Sequence, residues 1–321
     1  VLLQVRTPRK ILWAATAAVV ALVGMFAAAN RIERSVEALT YNDPVVYYQQ
    51  TAYQKVVLTD YQNDLRMYLN GQLQFSSLDE ARYHETLSAS AMTSVKDPTH
   101  VLVLGGGDGL LAREILRYPS VKDVTVVDID PGVTDLARSN RLLKDLNQAS
   151  LSDPRVSVVN DDAFTYVRDS GTTYDVVLID LVDPSNERLA KLYSTEFYRN
   201  VETRLAPEGV MVTQATSTFF SPHAFSTVAS TVAAAQPDRQ ILPFSINIPS
   251  FGEWGFILST RTPQNLISQP LPEGLTYQDR KTLEFIMRTK PARTETMEPS
   301  TLLHPRIVEV YNRDMRQWRY Y

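Results

Sequence analysis

Apolar and polar positions divide the chain into stretches of different rhythm. Ile11 to Asn30 runs for 20 residues without a charge. A helix of that length, rising about 1.5 Å per residue, reaches across a hydrocarbon core of about 30 Å, so the segment is expected to span a membrane. Two readings compete with it. Arg6, Arg9 and Lys10 precede the segment and Ala27-Ala28-Ala29 resembles a cleavage site, as in a secretory signal peptide; a buried Ala-rich core helix has the same composition. The chain opens on Val rather than Met, so the segment is expected to be the last of several spans. Arg31 and Arg34 follow it closely, which leaves the positive-inside bias nearly balanced.

After a polar link from Arg31 to Asp43, residues Val45 to Phe75 read as short strands (VVYYQQ, QKVVLTDYQ, LRMYLNGQLQF), with Asn70-Gly71 as a hairpin turn, and predict a small antiparallel β unit. From His100 the pattern changes. Apolar runs (HVLVL, VTVVDI, VSVVN, DVVLID, GVMVTQ) alternate with helical stretches (LLAREILRY, GVTDLARSNRLL, and Thr195 to Leu205). Continuous runs such as VLVL suit strands buried on both faces, and the intervening helices make βαβ units. The fold class expected is α/β, a Rossmann-like, mainly parallel sheet preceded by the β unit and a transmembrane helix. The segments are 1–35 for the membrane helix and its flanks, 36–85 for the β domain, 86–265 for the Rossmann-like domain, and 266–321 for a C-terminal helical extension.

Composition narrows the chemistry. With 44% apolar residues over 321 positions the chain can bury a sizeable core. A net charge of −4 provides no basic field for a polyphosphate, so no nucleic-acid partner is expected. The absence of Cys removes disulfides, thiolate zinc and a cysteine nucleophile. Four His without an HxH or HExxH spacing point to no metal centre.

Gly105-Gly106-Gly107-Asp108-Gly109 follows one apolar run and opens a helix, a turn where a ligand approaches the backbone closely. Asp108 would repel a pyrophosphate and suits a cationic ligand. Asp128, 23 residues after Gly105, ends the next strand where a carboxylate can accept both ribose hydroxyls of a nucleoside. Asp162, before Ala163, ends the third strand at the height of an adenine amino group; capping of the following helices is the plainer role of both acids. DVVLID delivers Asp180 at a strand's carboxyl end, with Asp183 three residues on. Two acids at that spacing could grip an amine and accept its proton, while Asp183 before Pro184 could simply start a turn.

These residues resemble the polyamine aminopropyltransferases, spermidine synthase and its relatives, from about Tyr48 to Pro263. The resemblance rests on ordered motifs: Tyr53-Gln54, Asn70-Gly71 through Asp79-Glu80 to Tyr83-His84-Glu85, Gly105 to Gly109, Asp128-Ile129-Asp130, Asp161-Asp162-Ala163, Asp180 to Pro184, Leu192-Tyr193 and Gln214. Lys191 to Ser194 and Pro249 to Phe256 read like the membrane-linked bacterial branch. The resemblance implies decarboxylated S-adenosylmethionine as co-substrate, no other cofactor, and a diamine, usually putrescine, as acceptor. Gln54, Gly105, Asp108, Asp128, Asp162 and Ala163 would hold the donor, Asp180 would be the base, and Tyr83, His84, Asp183 and Gln214 would line the diamine channel. A homodimer at the cell membrane with its catalytic domain in the cytoplasm is expected. Leu181-Val182 and Phe251 depart from the soluble enzymes, which usually carry hydroxyl residues there. An S-adenosylmethionine-dependent methyltransferase and a non-catalytic polyamine-binding module are the competing readings.

Overall fold

The computed structural model describes residues 9–263 and 266–318, with only the backbone of residue 12 and residues 26–39 described. Helix α1 (Arg9–Thr40) leads into strands β1 (Val45–Gln50), β2 (Lys55–Tyr61), β3 (Asp64–Leu69) and β4 (Gln72–Ser76). These form an antiparallel sheet in that order. Asn70 and Gly71 both have positive φ, 52° and 81°, the two-residue turn whose twist matches the flanking strands.

Helix α2 (Glu80–Met92) follows, then β5 (His100–Gly105), α3 (Leu110–Ile115), β6 (Asp123–Val127), α4 (Pro131–Ser139), α5 (Arg141–Leu146), β7 (Val156–Val159), α6 (Ala163–Asp169) and β8 (Tyr174–Asp180). The chain continues through α7 (Glu187–Ala190), α8 (Thr195–Glu202), β9 (Leu205–Ser217), α9 (Pro222–Ala235), β10 (Gln240–Ile248), β11 (Gly252–Thr260), α10 (Arg280–Arg288) and α11 (Arg306–Arg316). The large sheet has the order β10-β11-β9-β8-β5-β6-β7, with β9, β8, β5, β6 and β7 parallel and β10 and β11 antiparallel. The expected α/β class with a small antiparallel sheet in front is thus the observed one.

The apolar runs are continuous because each central strand serves two cores. Val101 and Val103 of β5, with Val176 and Leu178 of β8, pack into one; Leu102 and Leu104, with Val177 and Ile179, pack into the other. Successive side chains of a strand point to opposite faces, so neither face tolerates a polar residue. Each such side chain contributes roughly 1.5 to 3 kcal/mol when fully buried.

Three details differ from the sequence reading. The stretch GVTDLARSNRLL is two helices, broken at Asn140, whose extended backbone lets its side chain accept from Leu142 N and Leu143 N and cap α5. The helix expected to reach Leu205 ends at Glu202, and Leu205 already starts β9. The boundary drawn after Glu85 falls inside α2, most of which is buried against the large sheet.

The expected membrane span is helical, within α1. Part of it, the side chains of residues 12 and 26–30, lies outside the described side chains, and among the described residues no helix is long and apolar enough to cross a membrane.

Candidate active site

The chain runs outward from β5 through β6 to β7 and then returns to β8 on the other side of β5. Such a reversal opens a crevice at the carboxyl ends of the two central strands. Gly105 and Asp180 are paired neighbours there. Gly105 has φ +87°, and a Cβ on it would lie 2.0 Å from the Asp180 carbonyl oxygen, so only glycine fits. Gly107 lets Asp128 approach: its N–H donates to Asp128 Oδ2 at 3.1 Å, while Asp130 N–H donates to Oδ1 at 2.9 Å. Burial pushes the Asp128 carboxyl up to about 6 against these two bonds.

Helix α2 crosses beneath the crevice with Tyr83 and His84. Tyr83 Oη donates to Asp180 Oδ1 at 2.5 Å. Burial, then the negative charge of Asp180, holds the phenol well above its ordinary range, so it remains a donor. Asp180 Oδ2 is left over Gly106. His84 Nδ1 meets Glu80 Oε2 at 2.9 Å, and the Arg113 guanidinium donates to the same oxygen at 2.8 Å. Burial pulls the His84 imidazole down, but the hydrogen bond and charge of Glu80, with Asp108 and Asp180 behind them, push it up to about 9. Burial likewise disfavours the Glu80 carboxylate, yet His84 and Arg113 hold it down at about 2. The pair is ionised at neutral pH.

Asp108 accepts the Leu110 N–H at 2.8 Å. Burial pushes it up to about 6, with His84 opposing and Asp180 adding to the rise. Burial also raises Asp180, opposed by His84 and by the Tyr83 bond. Farther out, Asp183 Oδ2 accepts the Tyr311 hydroxyl at 2.9 Å, whereas Oδ1 is buried and has no hydrogen-bond partner among the described residues. Burial pushes Asp183 up to about 6 against the opposing pull of Tyr311 and the neighbouring Gln214 amide. Gln214 Nε2 donates to the Leu181 carbonyl and to Tyr193 Oη, and Tyr193 Oη donates to the Val182 carbonyl. The two residues between the acids are therefore held by their backbone carbonyls, which a Leu-Val pair supplies as well as hydroxyl residues do.

The small sheet supplies the other side. Thr51 Oγ1 donates to Asp130 Oδ2 at 2.7 Å and receives the Gln54 N–H at 3.0 Å, which sets the β1–β2 loop over the crevice. Asp79 occupies the N-cap position of α2 without capping it; its carboxylate accepts Ser250 N–H and Oγ at 2.7 and 2.8 Å and fastens the β10–β11 loop. Asp162 does cap α6, through Thr165 N–H at 3.2 Å, and pairs with Lys191 at 2.5 Å. Its capping role is thus present, and its outer oxygen is already engaged.

One cavity of about 1330 Å³ gathers every site residue named from the sequence: Gln54, Tyr83, His84, Gly105, Asp108, Asp128, Asp162, Ala163, Asp180, Asp183 and Gln214. Sequence reasoning gave no role to Glu80, Arg113, Tyr193, Lys191 or Tyr311. Glu80 stands one turn before His84, a spacing that signals a helical pair. Tyr311 carries no comparable local signal.

A Rossmann-like sheet with an acid-lined crevice at its switch point defines a protein of the spermidine synthase fold. A spermidine synthase solved in complex with the transition-state analogue AdoDATO superposes with a TM-score of 0.71 over 76% of this chain and 85% of that one, at 24% identity. The spermidine synthase of Thermotoga maritima gives 0.68 over 76% and 84%, at 23% identity. Residues 80–269 match the spermine/spermidine synthase domain, more than half of the chain, so the chain belongs to that family. It is similar to the polyamine aminopropyltransferase of Oceanobacillus iheyensis, 40% identical over 86% of this chain and 55% of that protein. It also matches polyamine aminopropyltransferase 1 of Streptomyces coelicolor, 41% identical over 97% and 59%. The chain spans somewhat over half the length of these relatives.

Proposed function

We propose that this chain transfers the aminopropyl group of decarboxylated S-adenosylmethionine to a diamine, putrescine in the first instance. One observation carries the reading: Asp108, Asp180 and Asp183 share a buried crevice, and each is hydrogen-bonded by a neutral donor, Leu110 N–H, Tyr83 and Tyr311 respectively. The His84 imidazolium offsets part of the cost of burying Asp108 and Asp180, but three carboxylates in one crevice leave negative charge that a cationic ligand would balance. A sulfonium carrying an amine, together with a diamine, supplies the positive charge. Methylation by S-adenosylmethionine fits less well, because the donor's own carboxylate would face the same acids.

In this reading Gln54 and Asp128 hold the nucleoside, with Asp162 and Ala163 beside the adenine, and Asp108 faces the aminopropyl ammonium. An ammonium with a pKa near ~10 has no lone pair, so Asp180 takes its proton as the amine leaves water. Tyr83 occupies one oxygen of Asp180 and leaves Oδ2 to accept. The amine nitrogen attacks the methylene carbon beside sulfur; the carbon–nitrogen bond forms, the carbon–sulfur bond breaks, and its electron pair leaves with neutral methylthioadenosine. Holding the partners in line contributes an effective molarity of roughly 10⁵ M or more.

The membrane tether belongs to the proposal too. Its support is that α1 leaves Ile11, Trp13, Val19, Val20, Leu22, Val23 and Met25 exposed, a row of large apolar side chains that water disfavours. Homodimerisation and a cytoplasmic catalytic domain remain expectations of the resemblance. Incubating the full chain with the decarboxylated donor and putrescine, with products identified by mass, tests the chemistry. Spermidine and methylthioadenosine are expected; methyl transfer from S-adenosylmethionine without aminopropyl transfer overturns it. Flotation with liposomes of the full chain and of residues 41–321 tests the tether, which fails if both remain at the bottom of the gradient.

A further inference from the structure

The matched family domain ends at residue 269, yet the crevice is completed from beyond it. Helix α11 reaches the loop after β8 at two adjacent positions: Tyr311 donates to Asp183 Oδ2 at 2.9 Å, and Asn312 Nδ2 donates to the Ser185 carbonyl at 3.2 Å. Met315, one turn on, lines the same wall. The helix is itself held firmly. Ile307 and Tyr311 are buried in the second core, and Asp314, also buried, accepts the His223 and Ala224 N–H groups at 2.9 and 3.1 Å at the start of α9.

The bond to Asp183 has a specific chemical character. A phenol fixes one oxygen of the carboxylate without neutralising it, as Lys or Arg would, and the other oxygen, Oδ1, receives no full hydrogen bond from the described residues, with only the Gln214 amide near the carboxylate. Such an atom is costly to leave unmade, and a ligand ammonium completes it. Resting on the aminopropyl-transfer reading, we propose that α11 belongs to the acceptor site, with Tyr311 as a specificity-determining residue. It locks one oxygen of Asp183 so that the other receives the far ammonium of the diamine. The distance from that second oxygen to Asp180 then sets the acceptor length that reacts.

The test compares the full chain with Tyr311→Phe, Asp183→Asn and the double variant. Kinetics are measured with 1,3-diaminopropane, putrescine and cadaverine, and calorimetry with methylthioadenosine and with each diamine. Tyr311→Phe should raise the KM of the preferred diamine about tenfold, or about 1.4 kcal/mol. It should leave kcat within about twofold and methylthioadenosine affinity unchanged, and it should narrow the preference among the three diamines. In the Asp183→Asn background it should add almost nothing. An unchanged diamine KM, additive effects, or equal losses for donor and acceptor would show a merely structural tyrosine and overturn the inference. If Tyr311→Phe fails to fold, Asn312→Ala should show the same split at about threefold. No aminopropyl transfer by the unaltered chain, with diamine binding still weakened by Tyr311→Phe, would overturn the reaction and keep the site. A chain that binds no diamine overturns both.

Discussion

Among single residues, the two acids of β8 and its following loop are expected to separate in kinetics. Asp180→Asn keeps size and some hydrogen bonding but cannot take a proton, and loss of a general base costs roughly 10²- to 10⁴-fold in kcat. The loss should shrink at high pH as free amine accumulates. Asp183→Asn should raise the diamine KM more than it lowers kcat. Steady-state kinetics over pH 6 to 10 decide it; near-normal kcat for Asp180→Asn at neutral pH would remove the base from Asp180. Glu80 is tested differently. It is the charge that keeps His84 an imidazolium, so Glu80→Gln should lower the His84 pKa from about 9 toward its ordinary value, visible in the imidazole NMR titration. Arg113 retains Glu114 at 2.6 Å, which keeps the stability loss near the lower end of a broken buried pair, about 3 kcal/mol by urea unfolding.

At the level of elements, what was legible follows from where burial is apolar. Strands β5 and β8 were plain because both of their faces are hydrocarbon, and the glycine turn and Asp180 followed from their register. Helix α2 was not: its buried positions include Glu80, His84, Glu85, Ser88 and Ser90, so burial there does not show as hydrophobic periodicity. Glu85 is satisfied by Thr276, Tyr277 and Gln278, nearly 200 residues away, a pairing that no local pattern announces. Tyr311 is hidden for the same reason, since its partner is 128 residues distant. The tight junction of β5 with β8 is testable through its glycine. Gly105→Ala combines φ +87° with a backbone collision and should cost roughly 3 kcal/mol or more, whereas Gly171→Ala, which meets nothing within 4 Å, should stay within about 0.5 kcal/mol. Parallel urea titrations compare them; equal midpoints would mean that the turn relaxes.

For the whole molecule, the acids of the crevice make stability depend on pH in an unusual direction. Asp108, Asp128 and Asp183 sit at about 6 when folded against an ordinary 3.8, so the folded state holds their protons more tightly and stability falls as pH rises from about 4 through 6. His84, raised from 6.5 to about 9, contributes stability that is complete below 6.5 and lost as pH rises through 9. Glu80, held at about 2, works the other way, and its contribution disappears only as pH falls from 4.5 toward 2. The unliganded protein should therefore melt higher at pH 5 than at pH 9 by scanning calorimetry. Added spermidine should raise the midpoint more at pH 8, where the acids are ionised, than at pH 5. A flat or rising profile from pH 5 to 9 would contradict the burial assigned to these groups.

The loops over the crevice are fastened by Thr51 on Asp130 and by Ser250 on Asp79, hydroxyl and amide donors on carboxylates rather than ion pairs. Mobile ions screen charge over about 3 Å at 1 M salt, and they act on exposed cations and anions far more than on short neutral-donor bonds. Brine therefore separates what the protein is from what it captures. Concentrated potassium chloride should compete with polyamines for the acidic crevice and raise their KM, while the roof stays shut and kcat holds. These two fastenings would hold at salt concentrations that weaken the attraction of the acidic crevice for cations.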